Sequence, residues 1–129
     1  MDKARRTHAR FPCNLKVEVF SGPVGGVRIG EGLLMDVSVS GGLLKLKGML
    51  KVGATYRLHL EWKEGKLDLP GRVARLAGRV DATTGFYGLA FNLTYDQEKA
   101  LMRLVDLVRR GDPGPGEDRF GRAMRDYWA

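Results

Sequence analysis

Met35-Asp36-Val37-Ser38-Val39-Ser40-Gly41-Gly42 sets a carboxylate, two hydroxyls and two adjacent glycines between the apolar runs Leu33-Leu34-Met35 and Leu43-Leu44. Apolar residues running into and out of a short polar, glycine-ended stretch describe one strand giving way to the next, with the polar groups at the rim of a sheet. Glycine admits positive φ and lets a ligand approach bare N–H groups, Asp36 accepts hydrogen bonds, and Ser38 both donates and accepts them. Two readings fit these residues: a binding site at a sheet rim, or a plain hairpin turn capped by Asp and Ser.

The flanking sequence supplies more strands. Upstream, Leu15-Lys16-Val17-Glu18-Val19 alternates and is ended by Ser21-Gly22-Pro23 and Gly25-Gly26, and a second strand runs from about Val27 to Val37. Downstream come Leu44-Lys45-Leu46-Lys47 and then Tyr56-Arg57-Leu58-His59-Leu60-Glu61-Trp62, whose alternation buries one face and leaves His59 on the other. Lys63-Glu64-Gly65-Lys66 is a hairpin signal, and Pro70-Gly71 within the next run, Leu67 to Val80, marks an edge, bulge or break. The last strand is Phe86 to Leu93, with Tyr87, Leu89, Phe91 and Leu93 on one face. The period then changes: Thr94 caps a helix with Gln97 as its reciprocal partner, and Ala100, Leu101, Leu104, Val105 and Val108 form one stripe. Arg109-Arg110 complements the helix C-terminus and Gly111 closes it. The pattern predicts a mainly β fold, a small antiparallel six-stranded barrel with a C-terminal helix.

The ends carry the remaining signals. Residues 1–12 form a basic arm (Lys3, Arg5, Arg6, His8, Arg10) without apolar periodicity, followed by the barrel at 13–93, the helix at 94–110, a Pro/Gly linker at 111–118 and an amphipathic tail at 119–129. In that tail Phe120, Met124, Tyr127 and Trp128 line one side and Arg119, Arg122 and Arg125 the other, an apolar surface expected to dock on the domain, a second copy or a partner. At 129 residues and 43% hydrophobic the chain is sized for one core. A formal charge of +7 and a pI near 9.9 point to an anionic partner without saying which. Cys13, the single cysteine, rules out an internal disulfide and reads as a packed thiol. No apolar run reaches the roughly 18 residues of a membrane span and no signal peptide opens the chain, so a cytoplasmic location is expected.

Arg6-Thr7-His8-Ala9-Arg10 followed by Asp36-Val37-Ser38-Val39-Ser40-Gly41 fits Arg-x-x-x-Arg, then Asp/Asn-x-Ser-x-x-Gly. Together with Gly71-Arg72-Val73, Tyr87-Gly88-Leu89-Ala90-Phe91 and the helix that follows, this resembles a PilZ domain over roughly residues 4 to 110. The resemblance implies a receptor for the bacterial second messenger cyclic di-GMP, with Arg5, Arg6, Arg10, Asp36, Ser38 and Gly41 as the ligand-binding residues. It also implies a bearing of Arg5, just ahead of the arginine pair, on whether one or two intercalated ligand molecules are held; an arginine there favours a dimer. The chemistry suits that ligand. An arginine fork matches guanine O6 and N7 bidentately, pairs with phosphate and stacks on a flat base.

Catalysis finds no support in the residues: His8 and His59 have no evident serine, cysteine or carboxylate arrangement, no phosphate loop precedes a helix, and no zinc ligand set or cofactor site is visible. Tyr56, Trp62, Tyr87 and Phe91 are expected in the core rather than on a base-stacking face. The expected function is therefore a non-enzymatic receptor that passes its bound state to a protein partner, with homodimerisation open. The rivals are a basic barrel binding single-stranded nucleic acid, which leaves Asp36 unexplained, and a PilZ-like adaptor that does not bind the messenger.

Overall fold

A computed structural model of the chain describes residues 9–22 and 26–111. The strands are β1 (Phe11–Ser21), β2 (Arg28–Val37), β3 (Gly41–Lys47), β4 (Thr55–Trp62), β5 (Gly65–Arg79) and β6 (Thr84–Phe91), and one helix follows, α1 (Tyr95–Arg110). All ladders are antiparallel and close into a barrel in the order β1-β2-β3-β6-β5-β4. The sixfold strand count, the closure and the C-terminal helix agree with the sequence reading. Residues 1–8 and 112–129, which hold Arg5, Arg6, His8 and the amphipathic tail, lie outside the described residues.

Alternation builds the interior. Leu15, Val17 and Val19 of β1, Leu58, Leu60 and Trp62 of β4, Leu67 and Leu69 of β5, and Leu44 and Leu46 of β3 are all buried, and Leu101, Leu104 and Val108 of α1 join the same core. Each fully buried leucine contributes on the order of 1.5–3 kcal/mol, so the apolar stripe of α1, not its intrinsic propensity, holds the helix on the barrel. Its N-terminus carries the expected capping box: the Gln97 N–H donates to Thr94 Oγ1 at 3.2 Å and the Thr94 N–H donates to Gln97 Oε1 at 2.9 Å. Gly111 ends it at φ 84°, a left-handed conformation that glycine adopts without a Cβ penalty. Cys13 is buried and its Sγ donates to the Leu34 carbonyl at 3.2 Å. Trp62 and Tyr87 lie in the core, with Tyr56 and Phe91 packed at its margin.

Three details depart from the sequence reading or narrow it. β1 starts at Phe11, inside the segment assigned to the arm, because Phe11 and Pro12 already face Val37 and Asp36. Of the alternatives at Pro70-Gly71, a break is not what forms: Pro70 sits opposite Arg57 within one continuous strand and just before the β6 ladder begins at Gly71, an edge position where losing an N–H is tolerated. β5 is unbroken over 15 residues and takes its irregularity later, as register shifts between Val73 and Arg75 and between Leu76 and Gly78.

The connection from β3 to β4 is pinned by two tyrosines. Tyr87 Oη accepts from the Leu50 N–H at 3.2 Å and donates to the Gly48 carbonyl at 3.2 Å, and Tyr56 Oη accepts from the Lys51 N–H at 2.9 Å. Tyr87→Phe keeps the buried ring and removes the hydroxyl, leaving the Leu50 amide without its acceptor, so a loss of about 1–3 kcal/mol is expected. Urea unfolding checks this: the midpoint falls while the slope stays unchanged.

Candidate functional site

The segment between β2 and β3 closes as a turn built on Ser38. Its backbone N–H donates to the Gly41 carbonyl at 2.8 Å, its hydroxyl lies 3.3 Å from the same carbonyl, and its Oγ accepts from the Ser40 N–H at 3.2 Å. Ser38 is fully buried, and the hydroxyl that the sequence marks as a ligand contact is here committed to the turn. The Ser40 carbonyl then accepts from the Phe91 N–H at 3.0 Å, which ties the turn to the end of β6.

Asp36 reaches the outside through a bulge. Strict alternation from buried Leu34 would turn Asp36 inward and Val37 outward, yet Val37 is buried and Asp36 retains 26% side-chain exposure. The register shift between Leu34 and Asp36 in the β2–β3 ladder accounts for the change of face. Pairing of Pro12 with Asp36 brings the residues just before β1 to the same place, and Arg10 Nη1 lies 3.6 Å from Asp36 Oδ1. That carboxylate oxygen is buried and has no hydrogen bond among the described residues, so it is a charged acceptor left without a donor.

Gly41 fits under this pair. A Cβ at Gly41 would stand 2.2 Å from the Leu89 carbonyl oxygen and 3.5 Å from Arg10 Nη2, so only a bare backbone lets β3, β6 and the guanidinium come together. Arg10, Asp36 and Gly41 are thus assembled from three chain segments, Ser38 supports them from below, and Arg5 and Arg6 belong to the undescribed arm.

The ladders add a residue that sequence reasoning placed in a strand but not in the site. Gly41 pairs with Ala90, Ala90 with Arg72, and Arg72 with Thr55, a cross-strand row on the barrel's outer face. Strand spacing puts Gly41 and Arg72 about 10 Å apart, with small Ala90 between them. Arg72 is exposed and borders an open cleft of about 570 Å³ with Thr55, Pro70, Ala90, Phe91 and Asn92. Only the register of β5 and β6 reveals this neighbour, and no spacing in the sequence signals it.

A second polar group lies elsewhere on the wall. His59, read from sequence as lacking a carboxylate, pairs across the ladder with Asp68, and its Nδ1 lies 2.9 Å from Asp68 Oδ1. Arg57 Nη1 donates to the same oxygen at 2.7 Å and stacks 4.1 Å from the centroid of Phe20. Partial burial pushes the Asp68 carboxyl up, but the hydrogen bonds and charges of His59 and Arg57 outweigh it and hold the group below its ordinary value. The described residues include no cluster of three or more potential metal ligands.

A family model described as PilZ domain matches residues 4–108. The chain belongs to the PilZ domain family. Members of that family are binding domains, typically receptors for cyclic di-GMP. Solved PilZ structures share the fold. The PilZ domain of CeSA from a cellulose-synthesizing bacterium aligns with TM-score 0.57 and 22% identity over 78% of this chain and 98% of its own. The PilZ domain of YcgR from Escherichia coli, solved with c-di-GMP, aligns with TM-score 0.66 and 17% identity over 82% of this chain and 92% of its own. Bacillus subtilis inhibitor of motility, MotI/DgrA, aligns with TM-score 0.59 and 19% identity over 84% of this chain, which spans about half (52%) of that protein. None of the curated proteins compared with this PilZ domain matches it. Among the described residues no helix is long and apolar enough to cross a membrane.

Two outcomes follow from the geometry. Gly41→Ala forces a methyl group against the Leu89 carbonyl, so a stability loss of about 1–3 kcal/mol is expected, with the largest backbone shifts at Gly41, Leu89 and Arg10 by NMR. Asp68 has a lowered carboxyl, so its contribution to stability is present above its ordinary pKa of 3.8 and is lost as pH falls through the depressed value. Asp68→Asn is accordingly expected to be less stable than the parent at neutral pH and to differ little from it in strong acid, measured by thermal unfolding at both.

Proposed function

We propose that this PilZ domain binds cyclic di-GMP at the rim where Arg10, Asp36 and Gly41 meet, and passes the bound state to a protein partner. The observation that carries the reading is the buried, hydrogen-bond-free Asp36 Oδ1 held 3.6 Å from Arg10 Nη1 above the bare backbone of Gly41. Guanine presents N–H donors on one edge and O6 and N7 acceptors on another; Asp36 accepts from the first and an arginine fork serves the second. A purely electrostatic phosphate site has no use for a carboxylate at its centre. Leaving Asp36 Oδ1 a donor short in the free protein and satisfying it in the complex makes ligand binding selective for a group that donates.

The roles divide by chemistry. Arg10, held by Asp36, offers its guanidinium to base or phosphate, Arg6 supplies the second fork from the arm, and Arg5 stacks on a further guanine when two intercalated molecules bind. Gly41 and Ala90 form a floor low enough for a flat ring, and Arg72 places another cation at its far side. Ser38 acts through the turn it closes, fixing Gly41 beneath the ligand. The core placement of Trp62 and Tyr87 removes two of the aromatics that a single-strand stacking platform would need.

Calorimetric titration with cyclic di-GMP, GTP and a short single-stranded DNA tests the proposal. Micromolar or tighter binding of cyclic di-GMP alone is expected. Arg6→Ala and Arg10→Ala each lose about 2 kcal/mol of affinity or more, because a charge-assisted bidentate contact leaves a partly desolvated site. Asp36→Ala also weakens binding; tighter binding in that variant, or parent affinity without either arginine, overturns the assignment and favours nucleic acid or an adaptor role.

A further inference from the structure

The end of β5 is exposed in a way the messenger site does not use. β4 pairs with β5 only as far as Arg72, and Val73 makes the last bonds on that side, to Gly53 and Ala54. β6 accompanies β5 on to Arg79. Among the described residues, Ala74–Arg79 therefore has a backbone partner on one edge only, and Ala74, Arg75, Leu76, Ala77 and Arg79 are exposed.

The side chains around this edge are an unusual mixture. Leu76 is 41% exposed, Val80 53% and Met49 64%. Met49 joins the same surface, since Arg79 Nη2 lies 3.5 Å from its Sδ. Arg75 and Arg79 have no ion pair among the described residues, and the nearby Asp81 carboxylate is occupied by the N–H groups of Thr83 and Thr84 at 2.8 and 2.9 Å. An open strand edge, apolar side chains beside it and two uncompensated arginines along it call for an extended segment that brings both carboxylates and apolar groups.

We infer that Ala74–Arg79 is the docking edge for a protein partner that adds an extended, acidic and apolar segment to β5 as a further strand. Backbone hydrogen bonds then supply affinity, while Arg75 and Arg79 select sequence by charge. A second copy of the chain fits worse. Antiparallel self-pairing centred on Ala77 would set Arg75 opposite Arg79 twice, like charges face to face, and the two bulges shape an edge that discourages promiscuous pairing. The inference does not depend on the messenger reading, although Arg72 at the ligand face and Arg75 at the edge share one strand.

Hydrogen exchange of the full chain tests it, with a short peptide of alternating valine and glutamate as probe and its valine–lysine counterpart as control. In dilute free protein the amides of residues 74–79 that face away from β6 exchange fast; the acidic peptide slows them by about tenfold or more and the basic one does not. In the double variant Arg75→Glu, Arg79→Glu the preference between the peptides reverses, and these surface substitutions leave the core untouched. Ala77→Pro, which puts a proline ring in the middle of the edge segment, abolishes protection while binding of cyclic di-GMP stays as in the parent. Slow exchange in dilute protein without peptide, protection by neither peptide or equally by both, or protection that appears with protein concentration alone as sedimentation shows a dimer, each overturns the inference.

Discussion

Closure of the barrel through β1 is the constraint from which the other features follow. β1 pairs with β2, its neighbour in sequence, and also with β4, which ends forty-one residues after β1 does. That second ladder satisfies backbone groups which would otherwise lie along two open edges. It also seals the leucine-rich interior, in which Leu101, Leu104 and Val108 of α1 are buried. Once the ring is shut, binding chemistry is confined to the rims and to whatever strand outruns its neighbours, since the wall's inward positions are filled with apolar side chains.

Both candidate surfaces sit where the ladders end. At one rim the β2–β3 turn, the first residue pair of β1 and the end of β6 converge, so Arg10, Asp36 and Gly41 meet although they are far apart in sequence. At the other end β5 continues past the start of β4 and presents an edge. The same long strand thus passes the proposed ligand face at Arg72 and continues to Arg75 and Arg79, so one continuous strand joins the two candidate surfaces. The charge of +7 is carried in part by arginines at both places: Arg10 faces the Asp36 carboxylate at the rim, whereas Arg75 and Arg79 have no ion pair among the described residues.

Much of this was legible without coordinates wherever local rules decide. Period-two alternation located β4 almost to the residue, because its neighbours demand one wet and one dry face. The capping box, the apolar stripe and Gly111 placed α1 fully, since helix ends are written in side chains adjacent in sequence. The Asp-x-Ser-x-x-Gly motif falls on the β2–β3 turn with Arg10 beside it, while Arg6 lies outside the described residues. Local rules left edge, bulge and break open at Pro70, where a continuous strand takes the edge, and failed at His59, whose carboxylate partner comes from the next strand.

The sequence by itself determined the strands, the helix and the core stripe, and offered candidate residues for an anionic, guanine-bearing ligand, because propensity, alternation and side-chain chemistry are properties of short stretches. Only the tertiary structure decided which way Asp36 faces, since a bulge reverses its side; what Ser38 does, since its hydroxyl is spent inside the turn; that Arg72 belongs beside Gly41; and that β5 ends as an open edge. Each of these depends on register between strands distant in sequence. Register is fixed by the packing of the whole barrel, where one residue of slippage would exchange core and surface along an entire strand.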